Sequence, residues 1–130
     1  MIIKHILPFI WLCVAAITPA APVSGAEKTP EQLAQAAAEQ WLSLVDSGRF
    51  AESWQSAAEY FKAAVSEPQW KSSLDAVRKP LGSLVSRKLK SAKYTKTLPG
   101  APDGEYVILQ FNTTFANKKE AVETVTPMLA

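Results

Sequence analysis

Apolar residues recur every three or four positions between residues 29 and 81 and at roughly alternate positions beyond residue 83, a change of period that predicts helices followed by strands. Leu33, Ala37, Trp41, Leu44 and Val45 mark the inward stripe of a first helix. Its start is written in Thr29-Pro30-Glu31-Gln32, with threonine as the cap, proline at the first helical position and Gln32 placed to close a capping box. Gly48 is positioned to end it. A second helical stretch begins at Phe50, with Trp54, Ala57 or Ala58, Phe61 and Val65 at helical spacing, and the pattern leaves open whether it is short or broken. Ser66-Glu67-Pro68-Gln69 repeats the starting logic for a further helix whose inner stripe is Trp70, Leu74 and Val77. Pro80 is expected to end that helix, and Gly82 to complete the turn.

Residues 83–98 are rich in β-branched, aromatic and basic side chains and read as one long strand. Its alternation breaks, because Val85 and Leu89 share one parity whereas Ala92 and Tyr94 lie on the other. A bulge near Lys90 would bring all four to one face. Two successive turn signals, Leu98-Pro99-Gly100-Ala101 and Pro102-Asp103-Gly104, predict a hairpin. The returning strand, residues 105–115, alternates cleanly: Val107, Leu109, Phe111 and Phe115 against Gln110, Asn112 and Thr114. A turn at residues 115–119 leads to a third strand at 121–128, which Pro127 places near its end or on an edge. The order describes an α+β layer, three helices packed on a curved antiparallel meander of at least three strands.

The first 26 residues change the chemical picture. Lys4, an apolar run from Ile6 to Ile17, and Ser24-Gly25-Ala26 have the form of a secretory leader cleaved after Ala26. Pro8, Thr18, Pro19 and Pro22 interrupt the run short of the about 18 apolar residues that a membrane-spanning helix needs. Residues 27–130 then form a single domain, periplasmic or secreted, with no stable membrane span after cleavage. Cleavage also removes Cys13 and His5, the only cysteine and histidine in the chain. With them go the usual zinc and copper ligands, thiol nucleophiles and the commonest general base, so no metal and no cofactor is expected.

Charge is unevenly spread. Seven basic residues and no acidic one fall between Ala76 and Pro102, within a chain of net charge only +2. The small total disfavours specific nucleic-acid binding, while Arg87, Lys88, Lys90 and Lys93 form a candidate anion-binding strand. The plainer role of these lysines is to discourage edge-to-edge pairing. Among carboxylates, Asp46, Asp103 and Glu105 have ordinary structural roles at helix end, turn and strand start. Glu123 alternates with Ala121 and Val125, a position from which a carboxylate can point into a cavity, and is the least easily dismissed of them. With Tyr94 and Tyr106 it makes the weak catalytic set.

Several segments together resemble an exported bacterial family known as domain of unknown function 4019. They are the stretch from Trp41 to Gly48, Ser53-Trp54, Phe61, Trp70, Arg78-Lys79-Pro80-Leu81-Gly82, the proline-glycine hairpin through Tyr106, and Glu123-Thr124-Val125-Thr126-Pro127. The resemblance implies an exported location and a cone-shaped α+β fold similar to the nuclear-transport-factor-like, or cystatin-like, superfamily; it implies no mechanism. It also implies a further C-terminal strand beyond Pro127, which this sequence lacks.

The leading expectation is therefore a non-catalytic binding or protein-interaction module. Trp54, Tyr60, Tyr94 and Tyr106 are candidates to line a pocket for a small molecule, or else simply fill the core. A partner protein or a second copy would use the sheet face carrying Gln110, Asn112 and Thr114. The alternatives are a small hydrolase or isomerase using a buried carboxylate and a tyrosine, and a binder of anionic envelope components through the basic strand.

Overall fold

A computed structural model describes residues 9–17 and 28–129. Residues 18–26, with the expected leader cleavage site, lie outside the described part. Helix α1 (Pro30–Asp46) starts as its sequence dictates: the Gln32 backbone N–H donates to Thr29 Oγ1, and the Thr29 N–H donates to Gln32 Oε1 at 3.0 Å. The inward face is turned from the predicted stripe. Ala34, Ala38, Trp41, Leu42 and Val45 are buried, while Leu33, Ala37 and Leu44 are half-buried. Small alanines at 34 and 38 let the backbone of the first turns lie close to its neighbours, which longer side chains there would prevent.

The second helical stretch is broken into α2 (Phe50–Gln55) and α3 (Glu59–Ala64). Ala58 takes an extended backbone at the break, and Ala57 and Ala58 are both buried there. Helix α4 (Glu67–Leu81) repeats the capping box with Ser66 and Gln69. Pro80 sits in the last turn rather than ending the helix, which runs to Leu81 and is capped by Gly82 at φ 77°.

Strands β2 (Leu84–Thr95), β3 (Glu105–Phe115) and β4 (Lys118–Leu129) form the antiparallel meander. The β2 register shifts twice, between Leu84 and Ser86 and between Leu89 and Ser91. The second shift lies at Lys90, where the parity change demanded it, and it sets Leu89, Ala92 and Tyr94 opposite Phe111, Leu109 and Val107. The first shift was not foreseen. It displaces Val85 from the core side, leaves it 64% exposed, and brings Arg87 opposite buried Thr113. Pro127 lies near the end of β4 as expected. The sequence left β4 without an outer neighbour; here β1 (Phe9–Ile17), from the N-terminal apolar run, pairs with it in parallel, giving the sheet order β1-β4-β3-β2.

Aromatic packing joins the helices. Trp70 meets Trp41 at 6.0 Å between ring centroids and Phe61 edge-on at 5.5 Å. The two indole N–H groups converge on one residue of α2: Trp41 donates to the Ser53 carbonyl at 2.8 Å and Trp70 to the Ser53 hydroxyl at 2.9 Å. Each is a buried donor that would be costly to leave unpaired. This main core continues into Val107, Leu109, Phe111 and Val125; a smaller cluster holds Val77, Leu81, Leu84, Phe115 and Ala121. A polar row separates them. Along the strands, Thr113 lies between Phe111 and Phe115, Glu123 between Ala121 and Val125, and Arg87 between Leu84 and Leu89.

Candidate functional site

The polar row is the most distinctive chemistry among the described residues. Asp46 closes α1, Arg78 occupies the last turn of α4, Arg87 comes from β2, Thr113 from β3 and Glu123 from β4. Arg87 stands at the centre. Its Nε and Nη2 donate to Glu123 at 2.7 and 3.1 Å, while Nη1 and Nη2 donate to Asp46 at 2.8 and 3.0 Å. Arg78 Nη2 donates to Asp46 Oδ1 at 2.6 Å, and the Thr113 hydroxyl donates to Glu123 Oε1 at 2.6 Å. The planar guanidinium fork suits this double bridging as a lysine ammonium would not.

Helix position explains part of the arrangement. A carboxylate at the end of α1 faces the negative pole of that helix, which is unfavourable, and two guanidinium groups offset it. Arg78 sits favourably at the same pole of α4, with its Cζ 4.9 Å from the centre of the Phe115 ring. Its Nη1 is buried without a hydrogen-bond acceptor and lies 3.7 Å from Glu123 Oε2.

Electrostatics follow from this geometry. Burial pushes the Asp46 carboxyl up, but hydrogen bonds and charge from Arg87 and Arg78 outweigh it and hold the group below its ordinary value of 3.8. Burial likewise opposes the charge on Arg87, and the bonds from Asp46 and Glu123 push its guanidinium further up. The row clamps two helix ends, through Asp46 and Arg78, to the sheet residues Arg87 and Glu123.

A cleft of about 300 Å³ opens beside Asp46 and Arg78, with Phe50, Lys79 and Leu84 among its walls. None of the candidate pocket aromatics lines it. Trp54 is half-buried against the core, donates to the Val65 carbonyl at 2.7 Å and has the Lys62 ammonium over its ring. Tyr60 packs on the same core. Tyr94 donates to Glu105 at 2.6 Å; that bond, ahead of burial and the Glu105 charge, pushes its phenol up. Tyr106 is fully buried, and its hydroxyl bonds to the Pro102 carbonyl in the hairpin loop.

Glu123 is fully buried on the core face, and neither tyrosine bonds to it. Of the candidate anion-binding residues, Arg87 is drawn inward to the row whereas Lys88, Lys90 and Lys93 are exposed. Asp46, expected to have an ordinary structural role at a helix end, instead reaches both arginines, and Arg78, named only within the segments of the family resemblance, is its second partner. The available signal was chemical: a glutamate inside an apolar alternation requires a cation, and Arg87 is the one arginine in a strand of lysines.

Among the described residues no three metal-ligating side chains come together, and no helix is long and apolar enough to cross a membrane. Residues 37–130 match a family model whose description is a protein of unknown function. No curated protein and no solved structure matches the chain.

Proposed function

The chain belongs to the DUF4019 family, and on that premise we propose that it is an exported, non-catalytic module that works by binding a partner protein or small molecule. The observation that carries this reading is the engagement of its interior charge. Asp46 and Glu123 are the carboxylates drawn into the polar row, and both are held by arginine, so neither is free to cycle a proton during turnover. Tyr94 and Tyr106 spend their hydroxyls on Glu105 and Pro102. Export is supported by the leader pattern of the first 26 residues. Cleavage after Ala26 takes β1 away and leaves the antiparallel β4-β3-β2 meander with every member of the polar row.

Native mass spectrometry of the protein recovered from the periplasm of expressing cells tests the reading. The expected species begins at Glu27 and carries a bound small molecule, a partner or a second copy. Turnover of an ester, amide or isomerisable substrate that disappears in Glu123→Gln, with the circular dichroism spectrum retained, would overturn it.

A further inference from the structure

Without β1 the sheet has two free edges, β4 and β2, and they are built differently. The β2 edge is guarded: its register against β3 shifts twice, and Lys88, Lys90 and Lys93 are exposed along it. Bulges and lysines are the ordinary means of keeping an edge strand from pairing. The β4 edge carries neither over most of its length. From Ala121 to Leu129 its register against β3 is unbroken, the segment contains no basic residue, and its one charged side chain, Glu123, is buried in the polar row. Loss of the leader bares the outward N–H and C=O groups of this strand, which otherwise belong to a ladder.

The strand seated on this edge indicates what it accepts. Phe9 to Val14 pair in parallel with Val122 to Pro127, residue by residue, and the ladder shifts only beyond the proline, which has no N–H. Helix α1 packs against both β4 and β1, so a strand added here gains a helix flank as well as a ladder. The seated segment, Phe9–Ile17, is apolar and uncharged throughout, and residues 121–129 hold no cation for an acidic guest. A second copy would lay its own β4 here antiparallel by two-fold symmetry and would meet the missing N–H of Pro127 in both strands.

We propose that in the processed protein the outer edge of β4 receives an extended, uncharged apolar segment of another polypeptide, which joins parallel to β4 as a further strand over residues 122–127. Main-chain hydrogen bonds supply the attachment and the apolar side chains the selectivity. The leader run is then a placeholder, and its removal opens the site. The proposal rests on the reading of the protein as an exported binding module and names the chemistry of its partner.

The test uses the protein recovered from the periplasm, its N-terminus read by mass, and a fluorescent synthetic peptide of residues 9–17 with Cys13→Ser and a lysine tail for solubility. Anisotropy should show saturable binding, and hydrogen exchange should show protection gained at residues 122–127 and none along β2. Leu12 of the peptide would oppose Val125, so the same peptide with Leu12→Pro should bind about tenfold more weakly, having lost a ladder bond. Thr124→Lys in the protein copies the β2 guard onto β4 and should weaken binding several-fold. The full chain, made by cell-free translation with its leader attached, should also bind several-fold more weakly, because its own strand holds the edge.

The melting temperature of Thr124→Lys serves as the folding control, and the two peptides compared on the unaltered protein keep the test sound should that variant fail to fold. No binding, equal binding of both peptides, unchanged binding in folded Thr124→Lys, or protection on β2 instead of β4 overturns the proposal. So does a processed protein that pairs with a second copy through β4, or a recovered protein that still carries residues 9–17. If the peptide fails while the native mass spectrum retains a small molecule or a folded partner, the edge proposal falls and the module reading stands. Catalysis dependent on Glu123 would instead remove the module reading, whatever the peptide does.

Discussion

Replacing Arg87 by methionine keeps most of the side-chain bulk and removes all four hydrogen bonds that tie β2 to Asp46 and Glu123. Asp46 retains Arg78 at 2.6 Å and is partly open to water. Glu123 is left fully buried with the Thr113 hydroxyl and with Arg78 Nη1 at 3.7 Å. Breaking a buried pair by deleting one partner typically costs about 3–5 kcal/mol, because the remaining charge stays uncompensated. A domain of this size has roughly 5–15 kcal/mol in total. The melting temperature should fall by roughly 12–40 °C, at about 4–8 °C per kcal/mol.

Urea unfolding followed by circular dichroism measures the loss directly. The informative companion is Arg87→Met combined with Glu123→Leu, which removes the stranded charge and should recover at least about 2 kcal/mol, since apolar replacement of a buried pair is often neutral. A single variant within about 1 kcal/mol of wild type, or a double variant whose loss equals the sum of the two singles, would refute the argument that the row acts as one coupled unit.

Other outcomes follow from the same geometry. The Asp46 carboxyl lies below its ordinary value when folded, so its contribution is complete above about pH 4 and is lost as pH falls through the lower folded value; urea midpoints should drop in that range, less so in Asp46→Asn. Ser53→Ala should cost about 1–3 kcal/mol by leaving the Trp70 indole N–H without its acceptor, measured by thermal melting, whereas Ser56→Ala on the exposed side of the same turn should cost far less. Gly82→Ala should destabilise by about 1–3 kcal/mol, since φ 77° with ψ −164° is glycine territory and an added Cβ would meet Asn117 Nδ2 at 3.0 Å. Gly48→Ala, with open space around it, tests the backbone effect alone and should cost less.

What could be read from sequence was what is local. The capping boxes at Thr29 and Ser66 each lie within four residues, and both form as written. The slip at Lys90 was legible because the apolar residues on either side of it disagree in parity, and burying them on one face requires a shift. The slip after Leu84 had no such signal, since Val85 fits an unbroken alternation with Leu89. The polar row was illegible as a unit because its hydrogen-bonded charge pairs join residues 32 to 41 positions apart in chain order. Glu123 alone was visible as a charge in an apolar pattern; its partners are set by which helix ends reach the sheet, and that is decided by packing. The inward face of α1 was misjudged for a related reason: alanine counts little in a hydrophobic stripe, yet it is what a close approach selects.

One consequence of the polar row concerns the alignment of β4. Ala121, Val125 and Pro127 share one side of that strand with Glu123, while Val122, Thr124, Thr126 and Met128 occupy the other, so greasiness alone barely tells the two sides apart. Were β4 to slide by a single residue, Glu123 would swing to the opposite side and Val122 or Thr124 would confront two naked guanidinium groups. The four charges therefore act as a key cut for one alignment, rejecting neighbours that the oily residues by themselves would accept.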